Sequence, residues 1–155
     1  MAIDPRDFRN TVGCFATGVT VITAEIDGEP RGMTANAFTS VSLDPPLLLV
    51  CVGKTAHLGL AIHGVTHFSV NILSDTQQDL SAYFSGGWKT DVPPPFTLIP
   101  WEAAHRIDGA IAALGCITDR IHDAGDHWIV LGRVVSLHRA DEGRPLVFHR
   151  GHYGL

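Results

Sequence analysis

The sequence predicts a mainly β protein, in which about seven or eight strands close or nearly close into a barrel flanked by two or three short helices. Segments rich in β-branched residues recur along the chain between turn-forming residues. Helical patterns are few and do not alternate regularly with the strands, which argues against a doubly wound parallel sheet. With 155 residues, of which 45% are hydrophobic, the chain is expected to form a single domain over residues 1–155.

The first predicted element is a short helix. Asp4 can cap free backbone amides, and Pro5 lacks an N–H that the first helical turn does not need. The apolar residues that follow at helical spacing are Phe8, Val12 and Phe15. We expect this apolar face to pack on the core and the helix to end between Gly13 and Gly18, because glycine weakens helical continuation.

Strand candidates make up most of the remaining chain. Residues 19–26 are rich in β-branched side chains, and Asp27 and Gly28 can adopt the positive φ angles of a tight hairpin turn. These residues predict a hairpin that returns through residues 31–35. The other strand candidates are residues 40–43, 47–52, 67–73, 110–121 and 128–140.

Two further helices and one long loop complete the prediction. A capping box formed by Ser74 and Gln77, followed by an apolar pair four residues apart, predicts a helix over residues 75–84. A second short helix is expected over residues 55–62. Residues 85–96 contain two glycines and three prolines, which predict a loop long enough to act as a lid or a dimer contact.

Composition and charge exclude several classes of protein. The net charge is -5 and no cluster of Lys and Arg is present, so nucleic acid is not an expected partner. Three widely spaced cysteines without a CxxC motif argue against a disulfide framework and a zinc ribbon. The beginning of the sequence does not resemble a signal peptide, and no run of about 18 apolar residues occurs. We therefore expect a cytoplasmic protein that neither enters nor crosses a membrane.

Several familiar catalytic motifs fail. Gly53, Lys54 and Thr55 resemble the end of a phosphate-binding loop, but Leu48 stands where that motif requires glycine. The GxGxxG and GxSxG motifs are both absent from the sequence. Histidines recur at helical spacing, but they lack the accompanying pattern of a metal family, so no metal site is predicted.

One combination of residues survives this screen. Thr34, Ala35 and Ala37 are small enough to let a flat ligand approach the backbone, and Asn36 offers both hydrogen-bond donors and an acceptor. Downstream, Lys54 supplies a cation, Thr55 supplies a hydroxyl, and a helix starting there would direct free N–H groups at an anion. Together they could hold a heteroaromatic ring and a phosphate. Taken alone, the Asn36 tract would be interpreted as a polar strand end and Lys54 as a solvated turn residue; their joint occurrence favours the ligand site.

The chain also resembles a known family. Five segments occur in the order and at the spacing of the flavin reductase-like proteins: "FATGVTVIT", "GMTANAFTSVSLDPPLLLVCVGKTA", "FSVNIL", "GDHWIVLGRV" and "PLVFHRGHYG". The resemblance extends over nearly the whole chain, from Phe8 to Tyr153. The resemblance is to the reductase components of two-component flavin-dependent monooxygenases, and it implies the Greek-key, FMN-binding split β-barrel fold with a few short helices.

The resemblance also implies roles for individual residues. Thr34, Ala35 and Asn36 would line the isoalloxazine and ribityl side of the flavin, and Lys54 and Thr55 would hold its phosphate. Further flavin contacts would come from Ser40, Cys51, Val52 and Tyr153. His127 would lie near the nicotinamide. Without the resemblance, His127 would be interpreted as a strand-end histidine fixed by Asp126, Cys51 and Val52 as strand core, and Tyr153 as a packing residue.

The activity implied is that of an NAD(P)H-dependent flavin reductase. Hydride would pass from NADH or NADPH to FMN or FAD, and the reduced flavin would serve a partner monooxygenase. The resemblance further implies a homodimer. Two alternatives stay open at this point: a flavin-binding sensor or carrier without turnover, and another redox enzyme with the same barrel, acting on a bound substrate or a cobalt corrinoid.

Overall fold

A computed structural model describes residues 1–102 and 104–155. The helices are α1 Pro5–Val12, α2 His57–Leu60 and α3 Gln78–Phe84, with a 3₁₀ turn at Ile62–Gly64. The strands, in chain order, are β1 Thr17–Gly18, β2 Thr20–Ile26, β3 Glu29–Ala35, β4 Phe38–Leu43, β5 Pro46–Gly53, β6 His67–Ile72, β7 Leu98–Ile99, β8 Arg106–Ile107, β9 Ala112–Ala124, β10 His127–Arg139, β11 Val147–His149 and β12 His152–Tyr153.

Seven strands form one antiparallel sheet in the order β3-β2-β6-β9-β10-β5-β4. In the part of the chain that the structure describes, the edge strands β3 and β4 are not hydrogen-bonded to each other, so the barrel is open along this line. A second sheet pairs β1, β11 and β12, and β7 pairs with β8. The predicted mainly β fold is confirmed, as an open barrel.

The sheet separates two apolar cores. One lies within the curved sheet and contains Ile22, Val50, Phe68 and Val130, all at most 2% exposed. The other lies on the opposite side of β2, where α3 and the β11–β12 hairpin cover it; its members include Val19, Val21, Leu73, Leu80 and Leu146. β2 is therefore buried on both faces, which explains why its sequence is apolar or small at nearly every position rather than alternating.

A glycine in β10 makes room for the largest side chain of the inner core. A Cβ on Gly132 would lie 2.6 Å from the ring of Phe68, closer than nonbonded carbon atoms approach. The pairing of β10 with β9 shifts register at the same place, between Leu131 and Gly132. The shift bends the long hairpin where the ring packs, which helps the sheet to curve.

The limits of α1 agree with the prediction, but its packing does not. Asp4 caps the helix by accepting hydrogen bonds from the backbone N–H groups of Arg6 and Asp7, and Gly13 follows its last residue. The prediction that its apolar face packs on the core is wrong: Phe8 is 63%, Val12 is 54% and Phe15 is 77% exposed. The strands and α3 fill both cores, so this face remains at the surface.

The remaining predicted elements differ mainly at their ends. The helix expected over residues 55–62 is reduced to α2 and the 3₁₀ turn that follows it. The helix expected from residue 75 begins at Gln78, because Ser74 pairs with Pro145 and uses its hydroxyl to bond Thr76. Residues 85–96 form a loop, as predicted. Of the helices in the described ranges, none has the length and apolarity needed to cross a membrane.

Candidate functional site

The connection between β3 and β4 carries the candidate ligand-binding tract. The Thr20 hydroxyl donates to the Ala35 carbonyl at 2.6 Å, and the Cys51 N–H donates to the Ala37 carbonyl at 3.0 Å. The Asn36 carbonyl accepts from the Phe38 N–H at 3.0 Å. The backbone of the tract is thus fastened to its neighbours. Within the described ranges, the Asn36 side chain makes no hydrogen bond, so its amide is available to a ligand.

A small cavity brings the tract together with Tyr153. The Thr34 hydroxyl donates to the Ser81 carbonyl at 2.7 Å, and the Ser81 hydroxyl lies 2.7 Å from the Tyr153 hydroxyl. These contacts join β3, α3 and β12 around a cavity of about 230 Å³. It is lined by Val19, Thr34, Ala35, Asn36, Ser81, Ser85, Phe148 and Tyr153. The structure therefore brings together four of the predicted site residues, although the Thr34 hydroxyl already bonds α3.

A larger groove, of about 740 Å³, opens on the other side of Asn36. Its walls are α1, the loop after it and the β11–β12 turn, and Asp126 also lines it. Its apolar side chains include Phe8, Val12, Phe15 and Phe148, and its cations are Arg9 and Arg150. Asn36 thus borders two cavities, and the exposed face of α1 forms a wall of the larger one.

The predicted contacts on β4 and β5 differ in how accessible they are. Val52 is fully buried in the inner core, backbone included, so its position does not support the predicted contact with a flavin. Cys51 is half-buried, and burial raises the pKa of its thiol, which suits a wall residue better than a nucleophile. Ser40 is exposed on β4, where it pairs with Leu48. Thr55 is exposed immediately after β5.

Lys54 is held by residues of the β9–β10 hairpin. Its ammonium nitrogen lies 2.6 Å from Oδ1 of Asp123 and 4.6 Å from the centre of the Trp128 ring. Asp123 and Trp128 face each other across the two strands. The backbone N–H of Lys54 donates to the Asp126 carbonyl at 3.0 Å. The cation predicted to hold phosphate therefore already has a carboxylate partner.

His127 lies beside the same segment, at the start of β10. Its backbone pairs with Gly53, the residue before Lys54. Nδ1 donates to Oδ1 of Asp126 at 2.6 Å, and this hydrogen bond lowers the pKa of Asp126. In this structure the contact orients the ring and leaves Nε2 for another partner, although Asp126 itself is 96% exposed. The His127 side chain is 48% exposed, so Nε2 is within reach of a ligand.

Sequence reasoning missed several neighbours of these residues. Ser81 and Phe148 were not singled out, and neither were Asp123 and Trp128 as partners of Lys54. Asp123 lies 69 residues from Lys54, and no local pattern relates the two. The segment "HDAGDH" contains a signal, because two carboxylates flank the glycine of a hairpin turn. The segment does not show, however, with which cation each carboxylate would form an ion pair.

Comparisons with known proteins show the family of the chain. The family model described as "Flavin reductase like domain" matches residues 12–154. The reductase subunit HsaB of a flavin-dependent monooxygenase from Rhodococcus jostii (strain RHA1) is 42% identical over an alignment of 156 positions, which covers 98% of this chain and 78% of that protein. These matches confirm the resemblance found in the sequence.

Solved structures give the same result. The flavin reductase PheA2 in its native state superposes with a TM-score of 0.92 at 40% identity, covering 98% of this chain and 97% of that chain. The NADH:FAD oxidoreductase SgcE6 of Streptomyces globisporus C-1027, in complex with NAD and FAD fragments, gives a TM-score of 0.87 at 37% identity. That match covers 100% of this chain and 96% of the other. The chain is therefore a member of the flavin reductase-like domain family.

Proposed function

We propose that the protein is an NAD(P)H-dependent flavin reductase that supplies reduced flavin to a partner monooxygenase. The observation that carries this proposal is the similarity to flavin reductases along almost the entire chain, which includes the Asn36 tract and His127. The related structure of SgcE6 is described as an NADH:FAD oxidoreductase. The relative HsaB is described as the reductase subunit of a flavin-dependent monooxygenase. We extend both descriptions to this chain.

The residues around Asn36 fit a flavin. An isoalloxazine ring is flat and apolar on its faces, and it carries hydrogen-bonding groups along its edges. The Asn36 amide is free to donate and accept, and it stands between two cavities that have aromatic side chains in their walls. On one side of Asn36 the small residue Ala37 is exposed, whereas Ala35 on the other side is buried. Lys54 and Thr55 lie past the end of the neighbouring strand β5, where a phosphate could be held.

In this proposal the cofactors supply the chemistry, since a bound flavin accepts the hydride that the nicotinamide donates. The protein binds and orients both. Asn36 orients the flavin by hydrogen bonds to the edge of its ring. Lys54 holds the flavin phosphate, and His127 positions the nicotinamide through Nε2. Asp126 orients the His127 ring by accepting a hydrogen bond from its Nδ1–H group. The groove that touches both Asn36 and Asp126 is a suitable place for the two ligands to meet.

Steady-state oxidation of NADH with free FMN or FAD tests the activity. A flavin-dependent loss of NADH absorbance is the expected result. Tight flavin binding without NADH oxidation would instead support the sensor or carrier. Turnover that appears only with an added corrinoid or other substrate would support a different redox enzyme. Parallel assays with NADPH establish which hydride donor is preferred.

We also propose that the protein forms a homodimer. The sheet carries exposed apolar side chains on β4 and β10: Val41, Leu43, Val135 and Leu137, which are 47%, 96%, 41% and 74% exposed. Such a surface is typical of an interface, and a closed two-fold pair is the commonest symmetry of soluble oligomers. Light scattering is expected to give twice the chain mass. Leu137→Glu should halve that mass without unfolding the protein.

A further inference from the structure

The ion pair between Lys54 and Asp123 has a property that the proposed function does not use. The Lys54 side chain is 28% exposed and is held against the Trp128 ring, whereas Asp123 is 71% exposed. Apart from Lys54, the Asp123 carboxylate has no hydrogen-bond partner in residues 1–102 and 104–155. The lysine is thus the fixed member of the pair, and the aspartate is the member that can move away.

We infer that Asp123 is an internal counter-ion that competes with the flavin phosphate for Lys54 and thereby limits flavin affinity. The inference rests on the proposed function in taking Lys54 as the phosphate-binding residue. Asp123 touches the phosphate-binding residue rather than the ligand. It is therefore an affinity-determining residue and not a catalytic one.

Charge and distance favour competition over cooperation. A phosphate oxygen would contact the Lys54 ammonium at about 2.8 Å, as charge-assisted hydrogen bonds do. Asp123 already accepts from one of the three N–H groups of that ammonium at 2.6 Å. If both anions stayed, they would lie within about 5 Å of each other and repel. Asp123 therefore weakens phosphate binding unless it swings into solvent, and its high exposure makes that movement possible.

The competition would suit a protein that hands its flavin to a partner. A cation without a counter-ion would hold a dianionic phosphate tightly and slow its release. An internal carboxylate offsets part of that attraction and takes the place of the phosphate when the flavin leaves. The effect is confined to ligands that carry a phosphate, so the flavin ring and the nicotinamide should not be affected.

Asp123→Asn tests the inference, because it keeps the size of the side chain and removes only its charge. We expect the FMN dissociation constant, measured by flavin fluorescence, to fall by about threefold to fivefold, the upper part of the range for an exposed ion pair. The dissociation constant of riboflavin, which lacks the phosphate, should stay within about 1.5-fold of the wild-type value. Unchanged or weaker FMN binding would overturn the inference, and weaker binding would make Asp123 a residue that orients Lys54.

Asp119→Asn is the matched control. Asp119 lies on the same strand and its loss changes the net charge by the same amount, but it pairs with Arg120 rather than with Lys54. It should leave FMN binding at the wild-type value. Equal tightening by Asp119→Asn and Asp123→Asn would show a general effect of net charge and would overturn the specific pairing.

The inference also requires Lys54. In a Lys54→Met background, Asp123→Asn should no longer change FMN binding, and persistence of the threefold effect there would contradict the proposed competition. Failure of the proposed function would look different. In that case NADH oxidation would be absent from the wild-type protein, while the comparison of FMN with riboflavin would still measure the effect of Asp123.

Discussion

Replacing Lys54 by alanine should weaken FMN binding much more than riboflavin binding, because only FMN carries a phosphate. A charge-assisted contact of this kind contributes about 1.5–3 kcal/mol. The free protein already engages Lys54 with the exposed Asp123, a pair that contributes about 0–1 kcal/mol and is weakened or lost when phosphate binds. The difference centres on about 1–2 kcal/mol, which corresponds to a fivefold to thirtyfold loss of FMN affinity.

Parallel fluorescence titrations with FMN and riboflavin measure this difference directly. Arg139→Ala provides a control, because this substitution removes the same charge from an exposed position at the far end of β10. It should change neither affinity. Equal losses for FMN and riboflavin in Lys54→Ala would refute the reasoning, because they would show that Lys54 acts on the ring or on the fold rather than on the phosphate.

Three further substitutions test other parts of the site. Asn36→Leu should weaken FMN binding by at least about tenfold, because an edge of the flavin would lose its hydrogen-bond partner. Since Asn36 is exposed, the melting temperature of the free protein should stay nearly unchanged. A large drop in that temperature would show that Asn36 has a structural role. His127→Ala should lower kcat/KM for NADH by at least about tenfold, while the FMN dissociation constant stays within about twofold of the wild-type value. An unchanged NADH rate or a complete loss of FMN binding would contradict the assignment of His127 to the nicotinamide. Gly59→Ala should lower the melting temperature by several degrees, because the new Cβ would collide with the Gly53 carbonyl. Gly64→Ala should not lower it, because a Cβ there meets open space. Equal melting temperatures for the two variants would show that α2 can shift freely.

Most of the fold could be predicted because the signals are local. The β-branched segments and the Asp27–Gly28 turn specify the first hairpin, and both turn residues have the positive φ angles that the prediction required. The apolar pattern of α1 was also read correctly, but a pattern shows only that a face is apolar. Whether the core or a groove receives it depends on how much space the strands leave, and that is a property of the complete fold.

The candidate site could be predicted only in part. The chemistry and surroundings of Asn36 and Lys54 suggested them as site residues, and that assignment stays a prediction. The sequence could not show that Val52 points into the inner core, because a strand of continuous apolar residues does not reveal which face is inward. The counter-ion of Lys54 could not be predicted for another reason. The two partners are distant in sequence, and they come together because β10 pairs with β9 on one side and with β5 on the other.

The burial of β2 on both faces has a consequence for ligand binding. β3, which leads into Asn36, is paired with β2 along its whole length, from Glu29 opposite Ile26 to Ala35 opposite Thr20. A strand enclosed by two cores opens only when much of the molecule unfolds, so its amide protons should be among the slowest to exchange. The tract ahead of Asn36 is therefore preorganised. A ligand that binds there spends little free energy on ordering the chain, and more of the contact energy remains as affinity.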